Sequence, residues 1–248
     1  MTKHAAADEI ALKTSDQWDG EWNKWYQIYA KGTPRIGAWI KTNYAKITDN
    51  ILEIASGSAR ESRYLAPFCH SISCCDYSPA ATALVSAHHP PPNLKASTMD
   101  AFALRFPDKT FDLSFHKGFW VLISDDEDIK KLFREQLRVT KRTLLIFVQN
   151  GYNERQKQAF RSKAQSDPLF QTRFFHPVDL RDMLVKELKQ SATPGSVRLK
   201  KFGGSNALFK IPCPNRLINL RDRLASLLYQ CLPWNLVECA VVEVELTP

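Results

Sequence analysis

The sequence reads as an α/β protein. It predicts a doubly wound, mostly parallel seven-stranded sheet with helices on both faces, an antiparallel last strand and an N-terminal helical cap. Three observations carry this. Short apolar runs alternate with helical segments through the middle of the chain, the order that builds a parallel sheet with covered faces. The run Leu144-Leu-Ile-Phe-Val is a strong strand signal. The segment Cys239–Leu246 alternates instead, with Val242, Val244 and Leu246 set against Glu243 and Glu245. It reads as an edge strand with one wet face, antiparallel to its neighbours.

The elements follow in order. Strands are expected at Ile51–Ala55, Ser71–Cys75, Leu94–Thr98, Phe111–Phe115, Arg142–Val148, Val197–Phe202 and Cys239–Leu246. A helix over Arg60–Ala66 stops at Pro67, and one over Pro79–His88 begins on its proline. Ser124-Asp-Asp-Glu-Asp places negative charge at the start of a helix that runs to about Arg138. Two later helices span Pro177 to about Lys189 and Arg216–Cys231. Apolar periodicity resumes on both sides of Pro90-Pro-Pro-Asn and of Ala192–Ser205, so neither is a domain linker. The chain divides into an aromatic helical cap, residues 1–45, and one globular unit, residues 46–248.

Composition excludes several classes. Hydrophobic residues make up 44% and aromatics 11%, too much for a solvated disordered chain. The longest apolar runs fall far short of the roughly 20 residues that cross a bilayer. The first residues lack a signal peptide's apolar core. The six cysteines form no Cys-x-x-Cys motif. A reduced, cytoplasmic protein, monomeric or homodimeric, is expected. Net charge is +8, unevenly spread: residues 1–128 carry −3 and residues 129–248 carry +11. Such asymmetry fits a solvated basic face, an anionic substrate, nucleic acid or an acidic membrane.

In a doubly wound sheet ligands sit at the carboxyl ends of the strands. After the first strand comes Glu53-Ile-Ala-Ser-Gly-Ser-Ala-Arg60, whose small residues let backbone approach a ligand closely. After the second comes Asp76-Tyr77, with Asp76 placed to accept from a ribose diol. After the third come Asp100, suited to an exocyclic amino group, and Ala101, whose N–H suits a ring nitrogen. After the fourth comes His116-Lys-Gly-Phe. The set implies a nucleoside ligand.

On these residues the sequence resembles a class I S-adenosylmethionine-dependent methyltransferase with a type 11/25-like domain. The family's (Asp/Glu)-x-Gly-x-Gly-x-Gly motif is matched by Glu53-Ile-Ala-Ser-Gly-Ser-Ala, with Ala55 and Ala59 replacing two glycines. Asp76 and Asp100-Ala101 match the acids that end its second and third strands. The resemblance covers about residues 50–150. It implies S-adenosyl-L-methionine as cofactor, with Glu53, Ala55, Gly57, Ser58, Asp76, Tyr77, Asp100, Ala101 and His116 around it. By that likeness Gly57 and Ser58 line the methionine moiety, Asp76 holds the ribose, and Asp100 and Ala101 hold the adenine. His116 is either a general base or a cleft-lining residue. The Asn-Pro-Pro-Tyr signature of amino-methylating DNA enzymes is absent, which argues against base-flipping chemistry.

Trp18, Trp22, Trp25 and Tyr29 recur at helical spacing. They are either core or a lid over the cofactor cleft. Arg35 is either a surface arginine or a partner for the cofactor carboxylate. His176, before Pro177, lies on the expected substrate side. His88 and His89 have no partners at metal-ligand spacing, and no metal is expected. The Arg216–Cys231 helix gathers Leu217, Leu220, Leu224, Leu227, Leu228 and Cys231 on one side, as core, dimer seam or membrane-interface helix. The function expected is methyl transfer to an O, N or S atom of a small molecule: natural-product, lipid or quinone-like, anionic or apolar. An RNA or protein methyltransferase, or a non-catalytic nucleic-acid-binding module, is the alternative. A dinucleotide oxidoreductase is disfavoured, because Arg60 stands where its loop needs glycine.

Overall fold

A computed structural model describes residues 14–166, 170–203 and 218–247. Its strands are β1 (Asn50–Ile54), β2 (Ser71–Asp76), β3 (Leu94–Thr98), β4 (Phe111–Lys117), β5 (Thr140–Gln149), β6 (Gly195–Phe202) and β7 (Cys239–Leu246). They form one sheet in the order β3-β2-β1-β4-β5-β7-β6. β1 to β5 pair in parallel, and β7 runs antiparallel to both β5 and β6. The chain winds outward from β1 through β2 to β3, then returns to lay β4 on β1's other side. That reversal opens a crevice at the carboxyl ends of β1 and β4.

The helices are α1 (Ser15–Ala30), α2 (Arg35–Asn43), α3 (Arg60–Leu65), α4 (Pro79–Ala87), α5 (Asp126–Val139), α6 (Glu154–Ala164), α7 (Pro177–Gln190) and α8 (Ile218–Cys231). Leu145 and Phe147 of β5 pack with Ile36, Trp39 and Ile40 of α2. Leu144, Ile146 and Val148 pack on the other face with α5 and α7. Burial on both faces is why this strand is continuously apolar. The starts of α4 and α5 are set locally: the Ser78 side chain accepts from Ala81 N–H, and that of Asp125 from Glu127 N–H.

The seven strands, their parallel core and the antiparallel last strand match the expectation. The edge does not. β7 lies between β5 and β6, so β6 is the outer strand. Glu243, expected on a wet face, is 3% exposed. It accepts from the Tyr44 hydroxyl and lies 3.8 Å from Arg198. Alternation here reflects a buried, partnered carboxylate rather than solvent. β4 also runs two residues further than expected, because β5 pairs with it as far as Lys117. His116 therefore lies within the strand. Helix α6 was not expected, α2 falls within the residues read as a helical cap, and Pro67 falls in a 3₁₀ turn after α3.

Residues 216 and 217 lie outside the described residues. In the rest of α8, the face read as core, dimer seam or membrane-interface helix is not core: Leu220, Leu224, Leu227 and Leu228 are exposed. The helix packs through Ala225, Ser226 and Tyr229 instead, with the Trp39 indole N–H donating to Ser226 Oγ at 2.9 Å. Among the described residues no helix is long and apolar enough to cross a membrane.

Candidate cofactor site

The turn after β1 alternates in handedness. Ala55 (φ +52°), Gly57 (φ +52°) and Ala59 (φ +50°) are all left-handed. These are the three positions where the resembling motif carries glycine. The turn keeps the glycine conformation although alanine occupies two of them, at roughly 1–2 kcal/mol each. Packing makes up for it: Ala59 is fully buried, and Ser56 N–H donates to the Cys75 carbonyl at 3.0 Å. Ser58 is buried in the same turn.

Asp76, at the end of β2, closes on this turn. One carboxylate oxygen accepts from Gly57 N–H at 2.8 Å and the other from Ser78 N–H at 3.0 Å. Burial raises the Asp76 pKa above the ordinary carboxylate range despite these hydrogen bonds, and nearby Asp19 adds to the rise. Each oxygen keeps a lone pair that a ribose hydroxyl could use.

Glu53 faces elsewhere. It lies beneath α3, accepting from Ser62 N–H at 3.0 Å and from the Ser62 hydroxyl. Full burial pushes its pKa up to about 8. Its role in this structure is to tie β1 to α3. An acid whose folded pKa exceeds its unfolded value near 4.3 costs stability as pH rises between the two. Glu53→Gln is therefore expected to leave the melting temperature unchanged near pH 4. At about pH 9 it should gain on the order of 2–4 kcal/mol. Thermal melts across that range test it.

Beyond β2 and β3 lies an open cleft of about 320 Å³, lined among others by Ser15, Tyr77, Thr98, Met99, Asp100 and Arg105. Asp100 is exposed and accepts from Phe102 N–H at 2.9 Å. Ala101 is half-buried beside it and also lies against a crevice too narrow for water, with Ile54, His116, Phe119 and Trp120. His116 is fully buried, and neither ring nitrogen has a hydrogen-bond partner among the described residues. Its ring lies 4.8 Å from that of Trp120, and burial pushes its pKa down to about 3. It is a neutral imidazole in an apolar wall.

Helix α1 covers the turn. A Cβ built on Gly57 would lie 2.2 Å from Trp22 Cη2, so the indole rests on the glycine. Asp19 accepts from the Ser78 hydroxyl and from Ala80 N–H, tying α1 to the start of α4. Tyr26 is buried, whereas Trp18, Trp22 and Trp25 are half-buried and Tyr29 is 42% exposed. Trp22 thus covers the turn, and Tyr26, beside it on the helix, is buried in the core. Asp19 went unnoticed in the sequence, where a lone acid between tryptophans carries no signal.

Arg35 stands apart from the turn, donating to Glu238 at 3.1 Å and stacking on Phe202. His176 is exposed at the start of α7 against Tyr152. His88 packs on Tyr26, and no group of described residues could hold a metal. The structure brings together the turn, Asp76, Tyr77 and Asp100, and separately His116 with Ala101. It does not bring Glu53 or Arg35 to them. The donors and acceptors of the first group, beside an open cleft, suit the adenosine half of S-adenosylmethionine. The place over Gly57 that the resemblance gives to the methionine half is shared with Trp22.

Residues 52–148 match the family model of a methyltransferase domain. The fold is similar to that of the Haloferax volcanii putative methyltransferase crystallised with the Trm112 methyltransferase activator, at 12% identity and TM-score 0.63, covering 96% of this chain and all of that one. A SAM-dependent methyltransferase from Archaeoglobus fulgidus matches at 15% identity and TM-score 0.61, covering 90% and 99% of the two chains. The [4+2]-cyclase SpnF matches at 13% identity and TM-score 0.59, covering 95% and 97%. At these identities the likeness is one of fold, and the cyclase shows that the fold alone does not fix the reaction. No curated protein matches the chain. The family match thus identifies residues 52–148 as similar to a methyltransferase domain, and the turn, Asp76 and Asp100 stand at or just beyond the ends of the first three strands of its sheet.

Proposed function

We propose that this methyltransferase acts on an O, N or S atom of a small molecule with an apolar or aromatic body. The observation that supports this is the cover: three half-buried tryptophans on α1, with Trp22 directly on the Gly57 turn. Such a surface favours flat or apolar partners. Bound S-adenosylmethionine supplies an electrophilic methyl group. Asp76 accepts from the ribose, while Asp100 and the Ala101 N–H receive the adenine. Ser58 and Tyr77 complete the wall, and α1 excludes water from above. The protein orients the acceptor atom in line, the main demand when the leaving group is already good. His116 serves as a cleft-lining wall. Residues 1–45 act as the cap of the globular unit. The five described cysteines are all free, which suits a reducing cytoplasm.

The test is transfer of labelled methyl to panels of aromatic and apolar small molecules, RNA and protein. Transfer to the first panel is expected. Trp25→Ala should raise the acceptor KM about tenfold, the loss of one aromatic contact of roughly 1.4 kcal/mol. Calorimetric affinity for S-adenosylhomocysteine should stay within about twofold. Transfer only to RNA or protein would replace this reading with the alternative. The pH profile should show no inflection near 6.5, the ordinary histidine value; one that His116→Gln removes would make His116 a base.

A further inference from the structure

Helix α8 presents an apolar face to solvent. Leu220 (55% exposed), Leu224 (52%), Leu227 (65%) and Leu228 (46%) lie on successive turns of its outer side. Leu236, in the 3₁₀ turn that follows α8, is 47% exposed as well. A single exposed leucine means nothing, but a contiguous row marks an interaction surface. Cations lie on the same helix and on the strand it packs against. Arg223 is exposed on α8, and Arg198 and Lys200 reach solvent from β6, on which α8 packs. The chain from Arg198 to Arg223 holds seven basic residues against one acid. The Glu243 carboxylate near Arg198 and Lys200 is itself buried.

We propose that this face docks on an acidic phospholipid surface, with the leucines entering the headgroup boundary and the cations meeting the lipid phosphates. Charge decides among the possible occupants. A second copy would bring the same cations face to face, and a nucleic acid would leave the leucines in water. An anionic apolar interface satisfies both groups at once. The face also points to a use. Asn150, just beyond β5, donates from its side-chain amide to the Trp234 carbonyl at 2.7 Å. The turn bearing Leu236 thus sits at the carboxyl edge of the sheet beside β5, the same edge at which, three strands away, the cleft beyond β2 opens. An acceptor dissolved in the bilayer would meet the enzyme at that rim.

The experiment is sedimentation of the full chain with phosphatidylcholine vesicles, with and without phosphatidylglycerol. Binding is expected to the acidic vesicles only and to weaken with salt. Leu224→Glu with Leu227→Glu should lower it tenfold or more. These residues touch nothing in the cofactor site, so affinity for S-adenosylhomocysteine should be unchanged in the double variant. That second measurement separates failure of docking from failure of the methyltransferase site. Equal binding to neutral vesicles, no binding, or a dimer that the double variant dissolves would each overturn the proposal.

Discussion

Gly57→Arg is expected to abolish binding of S-adenosylhomocysteine in calorimetry and to lower the melting temperature sharply. Two causes add at this position. The backbone is left-handed, which costs a non-glycine residue roughly 1–2 kcal/mol. The new side chain would also start 2.2 Å from the Trp22 indole, an overpacking worth about 1–3 kcal/mol. The two causes separate in a double variant. Trp22→Ala in the same chain should recover the packing part of the stability but not the backbone part. It should not recover cofactor binding, because the arginine would still fill the turn. Undiminished affinity in Gly57→Arg would remove this turn from the site.

Asp76→Ala is expected to weaken cofactor binding by about a hundredfold or more and to destabilise the fold as well. Removing the carboxylate strands the Gly57 and Ser78 N–H groups in a buried place, at about 1–3 kcal/mol each. Asp76→Asn retains one acceptor oxygen and should fall between wild type and alanine in both readouts. Because burial holds the Asp76 pKa high, wild-type affinity should decline on acidification sooner than an exposed carboxylate would allow, and Asp76→Asn should lose that dependence. Wild-type affinity in the alanine variant would leave the ribose without its proposed acceptor.

What could be read from the chain was what local chemistry controls. Leu144–Val148 read strongly as a strand, and Pro79 as the start of a helix. The turn at Gly57, Asp76 and Asp100 was legible because each follows a recognisable strand. What failed to show was set by tertiary partners. Glu243 looked wet because nothing near it in sequence announces Tyr44 or Arg198. The α8 leucines stayed open between core, dimer seam and membrane-interface helix because periodicity reports that a face exists, not what it meets. Glu53 matched a cofactor motif, yet its carboxylate turned to Ser62, nine residues on, a pairing that strand-end logic does not address. α6, in which no residue is fully buried, has no apolar stripe to detect.

The place of β7 has a consequence for assembly. β6 is made before β7, yet its neighbour in the sheet is β7 and not β5. During synthesis the outermost strand must therefore wait, its ladder groups unpaired, until residues 239–246 have emerged and inserted between two strands already formed. Closure of this sheet is a late, long-range event. Until it happens, the unpaired edge of β5 and the basic strand β6 are open to chaperones and to wrong partners.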